Sequence, residues 1–154
     1  MAGDDAGSER RGGELLDRFL EVHQPEGYLD CVDPHVRGLI ALLNSTGWAF
    51  TYDSCEGHAT LLKKGYVRFI VRVERIPTLV EMLRLVKRDH PHAHLKLVVD
   101  WEEDGPNSLA SEEVPPGFVP LKFSFLTLKL GPFYRQLESA LRRLTVRGEG
   151  ATRT

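Results

Sequence analysis

The stretch Tyr66-Val67-Arg68-Phe69-Ile70-Val71-Arg72-Val73-Glu74 alternates apolar and polar side chains with a period of two. An extended strand separates such residues onto opposite faces. Val67, Phe69, Val71 and Val73 are expected on a buried face, and Tyr66, Arg68, Arg72 and Glu74 on a wet one. A strand of this kind belongs in a sheet covered on one side only, which is the habit of antiparallel sheets.

The flanking segments supply the cover. Upstream, Val36, Leu39, Ile40 and Leu43 recur at helical spacing, with Asp33 placed to cap and Pro34 at the first position. Leu15, Leu16, Phe19 and Leu20 suggest a shorter helix before it. A strand over residues 48–53 precedes the alternating one. Downstream, Pro77 opens a helix with Leu79, Met82, Leu83 and Val86 as its buried stripe. A strand over 94–102 should bury Leu95, Leu97, Val99 and Trp101, and the next should bury Val119, Leu121, Phe123 and Phe125. A last helix over 132–144 buries Phe133, Leu137, Ala140, Leu141 and Leu144. The order α-α-β-β-α-β-β-α predicts an α+β two-layer sandwich, with a mainly antiparallel sheet and helices on one face. Gly-rich phosphate loops of the G-x-G-x-x-G or G-x-x-x-x-G-K-[ST] type are absent, so a doubly wound nucleotide fold is excluded.

The chain has 154 residues, 42% hydrophobic and 27% charged, which suits one domain. That domain is expected over residues 13–147, with polar tails at 1–12 and 148–154 read as disordered. A net charge of -2 gives no general attraction to nucleic acid. No apolar run reaches membrane-spanning length, and the first residues lack a secretory pattern, so a cytoplasmic protein without membrane contact is expected.

Chemistry concentrates in Thr51-Tyr52-Asp53-Ser54-Cys55-Glu56-Gly57-His58, directly after the strand pattern Trp48, Ala49, Phe50. A thiol, two carboxylates, an imidazole and three hydroxyls lie together there. Gly57 permits a sharp turn that points backbone N–H groups outward. Thr51 and Ser54 offer hydroxyls, and His58 titrates near neutral pH. Thr51, Asp53, Ser54, Cys55, Gly57 and His58 are therefore the candidate ligand-binding residues, for a small nucleotide-like molecule. The plainer alternative is that Cys55 is a small buried residue and the hydroxyls satisfy a turn. A Cys55–His58 thiol hydrolase is a further reading, without an evident third residue to orient the histidine.

Gly27-Tyr28-x-Asp30, the helix ending Leu42-Leu43-Asn44, and Phe50-Thr51-x-x-Ser54-Cys55-x-Gly57 together resemble the tRNA wybutosine-synthesising protein three family. Thr51, Ser54, Cys55 and Gly57 match its motif, while Tyr52, Asp53, Glu56 and His58 depart from it, His58 standing where the family has arginine. The resemblance implies an S-adenosylmethionine-dependent methyltransferase that modifies a tricyclic guanine derivative in phenylalanine tRNA. Its rival is a noncatalytic ligand-binding or interaction module with the same fold.

Other groupings have bland readings. Cys31, His35, Cys55 and His58 have spacings that a Cys2His2 zinc site tolerates, but nothing forces the pairs together, and no metal is expected. His90, His92 and His94 alternate across a helix end, where an imidazole suits the dipole. Arg68, Arg72, Lys96, Lys122 and Tyr66 are candidates for phosphate or RNA contact, but interleaved Glu74, Asp100 and Glu102 favour a solvated face. Asp100, Glu102, Glu103, Asp104, Glu112 and Glu113 read as a solvated acidic loop.

Overall fold

A computed structural model describes residues 5–55, 63–100, 109–127 and 130–150. The elements follow the expected order: α1 (Asp5–His23), α2 (Pro34–Ser45), β1 (Ala49–Cys55), β2 (Lys63–Arg72), α3 (Ile76–Asp89), β3 (Lys96–Val99), β4 (Phe118–Thr127) and α4 (Leu130–Gly150). The sheet order is β1-β2-β4-β3, and every pairing is antiparallel. This is the α+β sandwich that the alternating pattern predicts. Helices α1 and α4 extend into the stretches expected as tails at residues 1–12 and 148–154. No helix among the described residues is long and apolar enough to cross a membrane.

The main core lies between one sheet face and α2, α3 and α4. Val67, Phe69, Val71, Leu121, Phe123 and Phe125 meet Val36, Leu39, Ile40, Leu43, Leu79, Met82, Val86, Phe133 and Leu137 there. Each helix contributes one apolar stripe, which is where helical spacing places it. Phe133 is fully buried, with ring centroids 4.7 Å from Phe125 and 6.4 Å from Phe123.

Two sequence expectations fail at strand ends. β2 stops at Arg72, and Val73 enters a 3-10 turn where it is exposed rather than buried. β3 is shorter than expected, and Val99 is 53% exposed because this edge strand pairs on one side only. Trp101, expected to be buried, lies outside the described residues.

The opposite face is built in rows, because antiparallel partners share a face. One row runs Phe50, Ile70, Pro120; the next Asp53, Arg68, Lys122, Val98; the third Cys55, Tyr66, Ser124, Lys96. Asp100 joins the first row, its N–H donating to Pro120 O at 2.9 Å. The first row is covered: α1 brings Phe19, and the stretch before β4 brings Leu109, onto Ile70 and Tyr52 as a second small core. In the other two rows Arg68 is buried, while Lys96 and Val98 stay exposed.

Candidate ligand-binding site

β1 carries an irregularity. Thr51 pairs with Phe69, yet Asp53 pairs with Arg68, so Tyr52 is an extra residue in the ladder. A bulge of this kind turns two successive side chains to one side. Tyr52 and Asp53 therefore both reach the polar face, while Thr51 and Ser54 follow Phe69 and Val67 toward the helices.

The bulge builds a buried polar network. The Tyr52 hydroxyl donates to Asp100 Oδ2 at 2.5 Å. Arg68 Nε lies 3.4 Å from the same oxygen, and Arg68 Nη1 lies 3.8 Å from Asp53 Oδ2. Tyr66 donates its hydroxyl to Asp53 Oδ2 at 3.2 Å. Arg68 and Asp100 keep side-chain exposures of only 9% and 4%. The expectation that these residues sit on a solvated face or acidic loop is thus corrected for both. α1 and Leu109 cover the first row, which Asp100 joins; Arg68, in the next row, is buried beside it, and the two charges tolerate burial by pairing.

The phenols respond to this setting. Burial, with Asp53 accepting from its hydroxyl and repelling a phenolate, pushes Tyr66 up to about 12 from an ordinary 10.0. Burial and the Asp100 bond push Tyr52 up as well, and burial raises Tyr28. A phenol whose folded pKa is raised holds its proton more tightly when folded, so its stabilising contribution is complete below the unfolded value and fades as pH climbs past it. Stability should accordingly fall as pH rises from about 10 toward 12, the window set by Tyr66. Chemical denaturation between these limits, with Tyr66→Phe reducing the slope while Tyr52 and Tyr28 retain the remainder, checks it; a parent and variant with the same slope would refute it.

Along the open rows runs a groove of ≈ 850 Å³, lined by β2, β3 and β4 and including Tyr66, His94, Lys96, Val98, Asp100, Lys122 and Ser124. That volume suits a drug-sized or cofactor-sized molecule. Lys122 Nζ lies 5.2 Å from the Tyr66 ring centroid and the Arg68 guanidinium carbon 5.5 Å from it. The ring's negative face attracts both cations and restrains their long side chains. Lys96 is exposed across from Ser124. Val98, 47% exposed, gives the groove an apolar shelf.

The sequence-predicted site divides. Asp53 and Cys55 are half-buried on the groove's face, one strand away from its lining, with Cys55 paired to Tyr66. Ser54 points to the helix side with Val67. Gly57 and His58 lie outside the described residues. Thr51 is fully buried and engaged: its hydroxyl lies 2.9 Å from Tyr28 Oη and 3.2 Å from Asn44 Oδ1. Asn44 Oδ1 also accepts the Thr51 N–H at 2.9 Å, and Gln24 Nε2 donates to Thr51 O at 2.7 Å. Tyr28, Asn44 and Thr51, three residues that carry the family resemblance, are thus one hydrogen-bonded knot tying α2 and the turn before it to β1.

Cys31 is an exposed thiol on the Tyr28–Cys31 turn, and Cys55 is a half-buried thiol at the end of β1. Among the described residues, no three His, Cys, Asp or Glu side chains converge as metal ligands. Of the three alternating histidines, His90 ends α3 with its ring edge-on to Phe133, His92 is exposed, and His94 lines the groove.

No protein-family model matches this chain, and no curated protein does. Among solved structures, the PH1069 protein from Pyrococcus horikoshii is similar at 14% identity, over 92% of this chain and 94% of that one, with a TM-score of 0.32.

Proposed function

We propose that this protein binds a nucleotide-like, anionic small molecule in the groove on its open sheet face. The observation that carries the reading is the pairing of restrained and exposed cations, Lys122 over Tyr66 and Lys96 beyond Ser124, with the apolar shelf of Val98. The cations suit a phosphate or carboxylate, and the shelf suits a ring. Adenosine 5′-monophosphate is the anionic ligand to test first; S-adenosylmethionine, net cationic through its sulfonium, tests the same groove through its carboxylate and adenine ring. In the sharper form of the proposal it serves methyl transfer to a tRNA base, with Cys55 one strand away from the groove lining. A cytoplasmic setting is proposed with it, in keeping with two unpaired thiols. The noncatalytic binding module is the second reading. It is favoured by Thr51, whose buried hydroxyl is consumed by Tyr28 and Asn44.

Calorimetric titration with S-adenosylmethionine and with adenosine 5′-monophosphate tests the reading. Lys122→Ala and Lys96→Ala should each weaken binding about tenfold, the worth of a charge-assisted hydrogen bond. Arg84→Ala, on the exposed side of α3, should not. Binding indifferent to both groove lysines would refute the site. Binding without methyl transfer to tRNA would select the module.

A further inference from the structure

α1 has a side that the second small core does not fill. Leu15, Arg18, Phe19 and Val22 follow one another at helical spacing and share a face. Phe19 is buried, but Val22 is 61% exposed. The Ser111–Glu113 turn stands across from this face. Between them lies a cavity of ≈ 190 Å³, lined from α1 by those four residues and His23, and from the turn by Glu112 and Glu113. It shares no lining residue with the sheet groove. Its charges do not neutralise one another. Arg18 is exposed and, among the described residues, joins no ion pair or hydrogen bond. Glu113 Oε2 accepts the Ala110 N–H at 2.8 Å, and Glu112 Oε2 accepts from the Ser111 hydroxyl at 3.3 Å, so both acids meet neutral donors only. Burial holds the His23 imidazole below its ordinary value against the pull of Glu113. At neutral pH it is therefore an uncharged ring, its centroid 4.5 Å from that of Phe19.

We propose that this cavity binds a free amino acid with an apolar side chain, its carboxylate on Arg18 and its ammonium on Glu112 and Glu113. A guanidinium suits two parallel hydrogen bonds to a carboxylate. An ammonium brings three donors to acceptors that carry the opposite charge. A simple anion would answer Arg18 and be repelled by the two acids, and a simple amine would leave Arg18 unanswered. A zwitterion satisfies both walls at once. Leu15, Val22 and the uncharged His23 ring give its side chain an apolar surface. The volume lies below the range for drug-sized ligands, which suits an amino acid and not a nucleotide. This is thus a second site, independent of the groove reading above.

Titration of the whole chain, followed by backbone amide NMR shifts, compares three probes. They are leucine, isoamylamine, which lacks the carboxylate, and isocaproate, which lacks the ammonium. Leucine should move the resonances of α1 and of residues 109–114, and should bind at least about tenfold tighter than either analogue, as loss of charge-assisted hydrogen bonds implies. Arg18→Gln should weaken leucine and isocaproate and spare isoamylamine. Glu112→Gln with Glu113→Gln should weaken leucine and isoamylamine and spare isocaproate; glutamine at 113 keeps an acceptor for the Ala110 N–H. These are surface changes, and should a variant fail to fold, the comparison of probes on the parent protein still decides. Equal affinity for the three probes, shifts confined to other parts of the chain, or no leucine binding at millimolar concentration would each overturn the site. None of these outcomes bears on nucleotide binding in the groove, which has its own variants.

Discussion

Arg68→Met should cost about 3–5 kcal/mol of stability, the range for removing one partner of a buried ion pair. The loss comes less from the attraction forfeited than from what remains. Asp100 stays in the wall with a side-chain exposure of 4% and without the guanidinium beside it, and Asp53 loses the same group. Methionine is unbranched and of similar reach, so little volume is lost, although the guanidinium's contact with the Tyr66 ring goes with the charge. Adding Asp100→Asn to Arg68→Met removes the stranded charge and should recover part of the loss. Urea unfolding of the three variants decides it. A single-variant loss below about 1 kcal/mol, the level of an exposed pair, would mean that the pair is solvated and the buried network is not a unit.

Phe133→Ala should cost a comparable 3–5 kcal/mol, by a different route. Phe133 is fully buried where α4 meets the sheet, with Phe125, Phe123, Tyr134 and the His90 ring all within ring-contact range. Truncation leaves a cavity walled by other rings, which cannot collapse into it without leaving their rotamers. Phe133→Leu keeps most of the volume and should cost distinctly less. Thermal unfolding that ranks the two variants equal would show that the site repacks freely.

The architecture was legible because it is written in local periods. Period two in residues 66–72 and helical spacing in α2, α3 and α4 act over short stretches of chain, and they survive without knowledge of the partners. What covers the far sheet face was not legible. Phe19 and Leu109 are ninety positions apart, and each reads as ordinary. Without them Arg68 and Asp100 look like solvent-facing charges, since alternation tells which side a residue takes and not whether that side is dry. The polar cluster was half read. Its density of functional groups is real, but the spacing of Thr51, Tyr52 and Asp53 does not announce an extra residue in a ladder. The strand therefore sends Thr51 inward and spends its hydroxyl on Tyr28 and Asn44. The groove residues Tyr66, Lys96 and Lys122 were placed on one face by their alternation. Their convergence on a single concavity depends on β3 pairing to β4, a long-range choice that no local pattern encodes.

The extra residue in β1 gives that strand an asymmetric tolerance to changes in length. Removing Tyr52 alone would restore an unbroken ladder, since Thr51 already opposes Phe69 and Asp53 already opposes Arg68. The sheet would close over the gap, and every other side chain of β1 would keep its side. What would vanish is the hydroxyl that reaches Asp100 and the ring that packs on Phe19. A homologue aligned with a single gap at this position would therefore share the scaffold while lacking the phenol that holds Asp100 in place, so that one indel separates two polar networks within one architecture.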